Sequence, residues 1–249
     1  MNREDIMAKG IGINFIEKTK YQYAEPSEQE RGLPQPPLEE SFNTAYPSIS
    51  LPEPSTINTP LKAVIDRRAS LRSFHDEAIS LAELSYLLWC TQGIRDRLPH
   101  ATLRTVPSAG ARHAFETFIL VNRVSNLEVG VYRYLAGQHQ VKLFIPGVEI
   151  GRQIAEACLG QNFLRECAAT FIWTAVVKRM YYRYTERGYR YLYLDAGHVC
   201  QNLYLAAESI GCGACAVGAF DDDAMNALLE LDGIEQFVIY LAATGKRSR

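Results

Sequence analysis

Ten consecutive residues, 168–177, read Ala-Ala-Thr-Phe-Ile-Trp-Thr-Ala-Val-Val and carry no charge. The run is too short to cross a bilayer, which takes ~20 residues. It is too continuous for a strand with one wet face, where apolar and polar positions alternate. It therefore predicts a strand covered on both sides, at the centre of a sheet. The chain must then supply helical layers above and below that sheet.

The remaining elements fit this demand. Residues 115–124 read as a second buried strand. Residues 130–134 and 140–144 alternate around Ala136-Gly137, a hairpin signal. Short strands are expected at 212–217 and 236–243, and helices at 150–159 and from Asp221 to near Leu231, the latter capped by Asp221, Asp222 and Asp223. Ser80-Leu81-Ala82-Glu83 is a capping box, with Ile79 and Leu84 placed as a hydrophobic staple and Gly93 as the stop. The longest helix is predicted over 191–210. Leu192, Ala196, Val199, Leu203 and Ala206 make one face, and Leu194, Leu205 and Ala207 add a second. A helix apolar on two sides is buried on two sides, which predicts a second subunit against it. The fold class is α+β, a sandwich of helices around a mixed, mainly antiparallel sheet.

Residues 1–58 differ from this pattern. Seven of the eleven prolines fall there, among Ser, Glu, Gln and Thr. That composition predicts an extended arm with little regular structure, draped over a body or a partner, ahead of a folded domain at 59–249. Residues 1–5 lack the basic start and apolar stretch of a secretory signal, so a cytoplasmic protein is expected. A net charge of −2 gives no field to draw in nucleic acid or an anionic membrane. The six cysteines are then expected as thiols. Cys212-Gly213-Ala214-Cys215 has neither a second pair nor a histidine at zinc spacing, so no metal is expected, and the sequence leaves its redox role open.

Against this neutral background the cluster Arg67-Arg68-Ala69-Ser70-Leu71-Arg72-Ser73-Phe74 stands out. Fork-shaped guanidinium donors and a hydroxyl suit a phosphate; the plain alternative is a solvated basic turn. Hydrolase and metal signatures (GxSxG, HExxH, SxxK) are absent, and the five histidines show no ligand spacing. His198, inside the apolar helix, reads as a hydrogen-bonded core or interface residue. Gly211-Cys212-Gly213 follows a helix and precedes a strand, the wrong context for a dinucleotide fingerprint. Three distant segments survive: the arginine cluster, the turn Thr105-Val106-Pro107-Ser108-Ala109-Gly110-Ala111-Arg112-His113, and Gly218-Ala219-Phe220, with a basic tail Lys246-Arg247. Phosphate donors at both ends of a domain, with soft backbone turns between, suit a ligand with one phosphate and one planar ring.

The order and spacing of these segments resemble the FMN-dependent nitroreductase family over 61–246, and within it the SagB-type dehydrogenases, which include thiazoline and oxazoline oxidases. Arg68, Ser70 and Arg72, followed by Phe74, are similar to the family's Arg-x-Ser-x-Arg/Lys-x-Phe, with Ala69 where many relatives carry Arg or His. The resemblance implies that these residues hold the FMN phosphate and ribityl chain. It implies that Pro107, Ser108, Ala109 and Gly110 reach the flavin from the other subunit. Gln161 is implied to pair with the pyrimidine edge, and Val217, Gly218 and Ala219 to face flavin N5 and O4. Lys246 or Arg247 is implied to close the phosphate site. Arg183-Tyr184 stands where azole-forming members carry Lys-Tyr, before Gly188-Tyr189-Arg190, and makes these two the candidate catalytic residues. The plain alternative for both is an exposed polar loop.

By resemblance, then, the chain is expected to be a homodimeric FMN oxidoreductase that uses NAD(P)H to reduce a small organic acceptor by a ping-pong mechanism. A peptide-tailoring azoline dehydrogenase passing electrons to oxygen is the first alternative. A non-catalytic flavin-binding or partner-docking protein is the second, kept open by the proline-rich arm.

Overall fold

The computed structural model describes residues 10–248. The expectation of a cytoplasmic protein rests on residues 1–5, which lie outside the described residues. The sheet has seven strands in the order β1-β6-β5-β4-β7-β9-β8. They are β1 (Ser48–Ser50), β4 (Phe115–Val121), β5 (Gly130–Leu135), β6 (Gln140–Pro146), β7 (Ala169–Val176), β8 (Cys212–Val217) and β9 (Gln236–Lys246). Neighbours pair antiparallel throughout. All eight residues of β7 are buried, between β4 and β9, as the unbroken apolar run demands.

The faces of β7 separate by alternation. Phe171, Trp173 and Ala175 join one core with helices α3 (Leu81–Gln92) and α7 (Gly188–Ser209). Ile172 joins the other, with α4 (Glu149–Ala157), α5 (Phe163–Glu166) and α8 (Asp222–Leu228). The sandwich is thus helix–sheet–helix. The capping box forms as expected: Glu83 N donates to Ser80 Oγ and Ser80 N to Glu83 Oε2.

Several expectations are corrected. The arm carries short regular elements that its composition does not announce: α1 (Ile11–Lys18) is helical and β1 extends the sheet edge beside β6. The segment after β7 is a helix, α6 (Val177–Tyr184), rather than a loop. A hairpin of β2 (Ile94–Leu98) and β3 (Ala101–Arg104), for which the sequence reading names no element, follows α3. On α7, Leu194 is 59% exposed, whereas Ala207 is buried in its own chain's core. His198 does not lie in the core of its own chain but is exposed there, its Nδ1 3.9 Å from Asp195 Oδ1. No helix among the described residues is long and apolar enough to cross a membrane.

Cys212 and Cys215 are three residues apart in β8, and an odd separation in a strand sends side chains to opposite faces. Cys212 packs with the α7 core and Cys215 with the α8 core. Both are free thiols, so the CxxC spacing produces no pair here.

Candidate functional site

Helix α2 (Leu61–Arg67) ends at the arginine cluster, with Arg68 as its C-cap. The chain then runs extended beside β8. Ser70 bridges Ala214 in parallel, and Leu71 N donates to Ala214 O at 2.9 Å. Gly213 leaves room for the Leu71 side chain here: a Cβ at 213 would stand 2.2 Å from Leu71 Cδ1 and push that side chain aside. The Tyr204 hydroxyl of α7 organises the segment. It accepts from Ala216 N at 2.8 Å and lies 3.0 Å from Ser70 Oγ, while the Arg68 guanidinium sits 5.3 Å over its ring. Burial pushes the Cys215 thiol up against the pull of the Arg72 charge. Arg68 and Arg72 form no ion pair among the described residues.

The basic tail lies beside the same segment. His75 N donates to Lys246 O at 2.9 Å, and Phe74 bridges Arg247. Unlike Arg68 and Arg72, both tail residues already hold an acid: Lys246 pairs with Glu83 and Arg247 with the buried Glu208. Burial opposes the Glu83 charge, yet the Lys246 and Ser80 hydrogen bonds hold its carboxyl below the usual range.

At the other end of β8, Val217 is buried and Gly218 and Ala219 are exposed. Gln161, distant in sequence, closes on this turn: its Nε2 donates to Ala219 O at 2.8 Å and to Cys158 O at 2.9 Å. Gly218 lies four residues past Ala214, the partner of Ser70, or about 13 Å along the strand. The cationic segment and the backbone turn are therefore two ends of one edge.

A second cluster forms around Pro107–Gly110. Ser108 Oγ donates to Asp195 Oδ2 at 2.6 Å and accepts from His113 N at 2.9 Å; Ala109 N reaches both Asp195 oxygens at 3.2 Å. Burial raises the Asp195 carboxyl against these hydrogen bonds. Gly110 takes φ +56°, and a Cβ on it would lie 2.4 Å from Tyr184 Oη and 3.0 Å from Arg183 Cδ. The Pro-Ser turn and the candidate catalytic pair thus meet within one chain. Tyr184 also packs edge-on to Tyr191, ring centroids 4.7 Å apart.

Asp195 and Tyr204 were missed by sequence reasoning. Their signal was an acid and a phenol on the buried stripe of an apolar helix, where such groups sit only with partners. They lie nine residues apart on α7, about 14 Å, and each anchors one of the two clusters.

The nitroreductase family profile matches residues 65–246. A Methanocaldococcus jannaschii protein assigned as a nitroreductase is 34% identical over 199 residues, covering 80% of this chain and 96% of that protein. The solved structure of an Anabaena variabilis protein also assigned as a nitroreductase is 31% identical with a TM-score of 0.65, covering 76% of this chain and 38% of that one. The trifolitoxin-processing protein TfxB of Rhizobium leguminosarum bv. trifolii is 30% identical over 137 residues, 52% of this chain and 36% of that protein. Fold and comparisons together define an α+β oxidoreductase. The chain belongs to the nitroreductase family.

Proposed function

We propose that the chain is an FMN-dependent oxidoreductase that takes electrons from NAD(P)H and delivers them to a small organic acceptor in a ping-pong cycle. The observation that carries this reading is the edge of β8. Two guanidinium groups with no acid partner among the described residues and one hydroxyl sit at one end, and an exposed backbone turn joined to an amide side chain sits at the other. This donor set fits a mononucleotide with a flat ring: Arg68, Arg72 and Ser70 for the phosphate and sugar chain, the Gln161 amide and the Gly218 and Ala219 N–H groups for the polar rim of the ring. The flavin supplies the redox chemistry when bound.

The chain's own residues then do three things. The β8-edge donors bind and orient. The N–H groups of Gly218 and Ala219, fixed by the hydrogen bond from Gln161 to Ala219, stabilise negative charge placed before them. Tyr184 holds a transferable proton at Oη, beside Gly110. We read the chain as a homodimer, in which the Pro107–Gly110 turn of one protomer completes the β8 edge of its partner. The exposed Leu61, Ile65, Tyr193 and Leu194 provide apolar surface for that association. In this reading residues 1–58 form an arm added to a flavin domain at 59–249, and the protein is cytoplasmic.

A second reading, a SagB-type dehydrogenase that oxidises an azoline on a peptide and passes the electrons to oxygen, is favoured by the similarity to TfxB. Arg183 takes the place of the lysine expected there, leaving Tyr184 as the group placed to exchange a proton with the substrate.

The test is the visible spectrum of the purified protein and its bleaching by NADH or NADPH without air. Arg68→Ala with Arg72→Ala abolishes flavin retention; undiminished retention refutes their phosphate role. Converging lines in a double-reciprocal plot refute the ping-pong cycle.

A further inference from the structure

Arg112 and Arg183 converge on a single acceptor. Arg112 Nε lies 3.0 Å and Arg183 Nη1 3.4 Å from the carbonyl oxygen of Gly110. Neither has an ion pair among the described residues. The buried acid of this cluster, Asp195, is spent on Ser108 Oγ and Ala109 N. Elsewhere the chain treats converging guanidiniums differently: Arg133 and Arg179 meet with Glu116 between them. Burial and the like charge of Arg183 both push Arg112 below its ordinary range, the expected result of cations gathered without a counter-charge.

Arg183 also faces a cleft of ≈ 670 Å³, lined among others by Tyr21, Glu25, Glu30, Tyr184 and Arg187. Its outer wall is the arm. The Arg187 guanidinium lies 4.1 Å over the Tyr21 ring and donates to Thr19 O at 2.8 Å, and Tyr21 Oη is 3.1 Å from Tyr191 Oη. The backbone next to Tyr184 is strained, with Thr185 at φ +49°, ψ −141°, a conformation β-branched residues avoid. Such strain persists where the surrounding structure enforces it, commonly at binding sites. The cleft therefore joins flat aromatic walls to an unpaired guanidinium beside the candidate proton-transfer group. Its acids, Glu25 and Glu30, come from the arm.

We propose that Arg183, backed by Arg112, is an anion site at the inner side of this arm-walled cleft, and that the second substrate is a flat molecule carrying an anionic oxygen group. This deepens the oxidoreductase reading by naming the chemistry of what approaches Tyr184. Two sources present that chemistry: a carboxylate on the acceptor, or the 2′-phosphate of a nicotinamide donor. A guanidinium fork serves either.

The test is equilibrium binding by the full-length, flavin-loaded protein, with turnover measured separately. The probes are 4-nitrobenzoate against nitrobenzene, and NADPH against NADH. Arg183→Gln, an exposed position that leaves the core intact, weakens 4-nitrobenzoate or NADPH at least tenfold, about 1.4 kcal/mol, and leaves the neutral or unphosphorylated counterpart within twofold. Arg183→Lys recovers part of the loss, and Arg112→Lys reproduces the selectivity loss at lower amplitude. Loss confined to 4-nitrobenzoate assigns the site to the acceptor, and loss confined to NADPH assigns it to the donor. Charge-selective binding without turnover upholds the anion site while refuting the oxidoreductase reading. Turnover in which Arg183→Gln alters charged and neutral ligands alike, or neither, overturns the anion site alone.

Discussion

Gly110→Ala is the substitution with the most to say about the site. Gly110 has φ +56°, ψ 25°, so any L-residue there carries the left-handed cost of about 1–2 kcal/mol. The new Cβ also falls 2.4 Å from Tyr184 Oη, closer than real Cβ atoms come, and a tight 3.0 Å from Arg183 Cδ, so the Tyr184 side chain must move. Gly32 supplies the control: its φ is +72°, and a Cβ there meets nothing within 4 Å. Both variants bear the backbone cost, which for a chain of this size lowers Tm by roughly 2–8 °C. Only Gly110→Ala also drives Tyr184 from the turn. Thermal unfolding and steady-state kinetics on both proteins separate the effects. Gly32→Ala loses stability and keeps its kcat. Gly110→Ala loses stability and at least tenfold in kcat, about 1.4 kcal/mol of barrier. In a Tyr184→Phe background the same substitution costs less stability than in the wild type, since the hydroxyl it strikes is gone. Gly110→Ala turning over as fast as Gly32→Ala refutes the placement of Tyr184 as a working group over this turn.

Glu116→Gln leaves Arg133 and Arg179 buried without their carboxylate and destabilises by about 3–5 kcal/mol, measured by urea unfolding. Burial works against the Glu116 charge, but Arg133 and Arg179 hold its carboxyl below the ordinary 4.5, so its contribution is present above pH 4.5 and is lost as pH falls through the folded value; the variant lacks this acid limb. His113 titrates in another window. Burial and the Arg104 charge lower it from 6.5 to about 3, so the unfolded chain binds a proton that the folded one refuses, and stability falls as pH drops from 6.5 toward 3. His113→Gln reduces the slope of the urea midpoint between pH 6.5 and 5.5, where Glu116 is ionised in both states and His139, also lowered by burial, still contributes; an unchanged slope there refutes the assignment. Among the six thiols only Cys90 is partly exposed, so a thiol reagent modifies at most one per native chain and all six after denaturation. Rapid native labelling of Cys212 or Cys215 contradicts their burial.

Much of the architecture was readable because local signals agreed with the tertiary need. The run at 168–177 is apolar because β7 has a core on each side, and the box that caps α3 lies within the four consecutive residues Ser80–Glu83. Where the sequence misled, a distant residue decided the local conformation. Helix α1 has no side-chain N-cap and buries none of its own residues. Arg190 and Arg187, far along the chain, hold its C-terminal end through Ile16 O, Thr19 Oγ1 and Thr19 O. Proline content described the arm's covalent chain but not these partners. Likewise α6 carries Arg179 into the core, a position that looks solvated until Glu116 is set against it.

The same distinction governs the site. The arginine cluster could be read because its chemistry lies within eight residues, and Gly218-Ala219 because two small residues stand between an apolar strand and an acid-capped helix. What those stretches could not announce is the part that fixes them in space. Asp195 stands at i+3 from Leu192 and Tyr204 at i+4 from Cys200, so the stripe that buries α7 also carries the two polar groups that hold the site. Asp195 ties down the turn that carries Gly110, and Tyr204 ties Ser70 to the backbone of β8. One rigid helix therefore sets the separation of the two clusters at about 14 Å. A loop-built connection would let the Tyr184 side drift relative to the cationic segment. A buried helix converts packing energy into that fixed distance, which is why the fold places the longest helix where both clusters can use it.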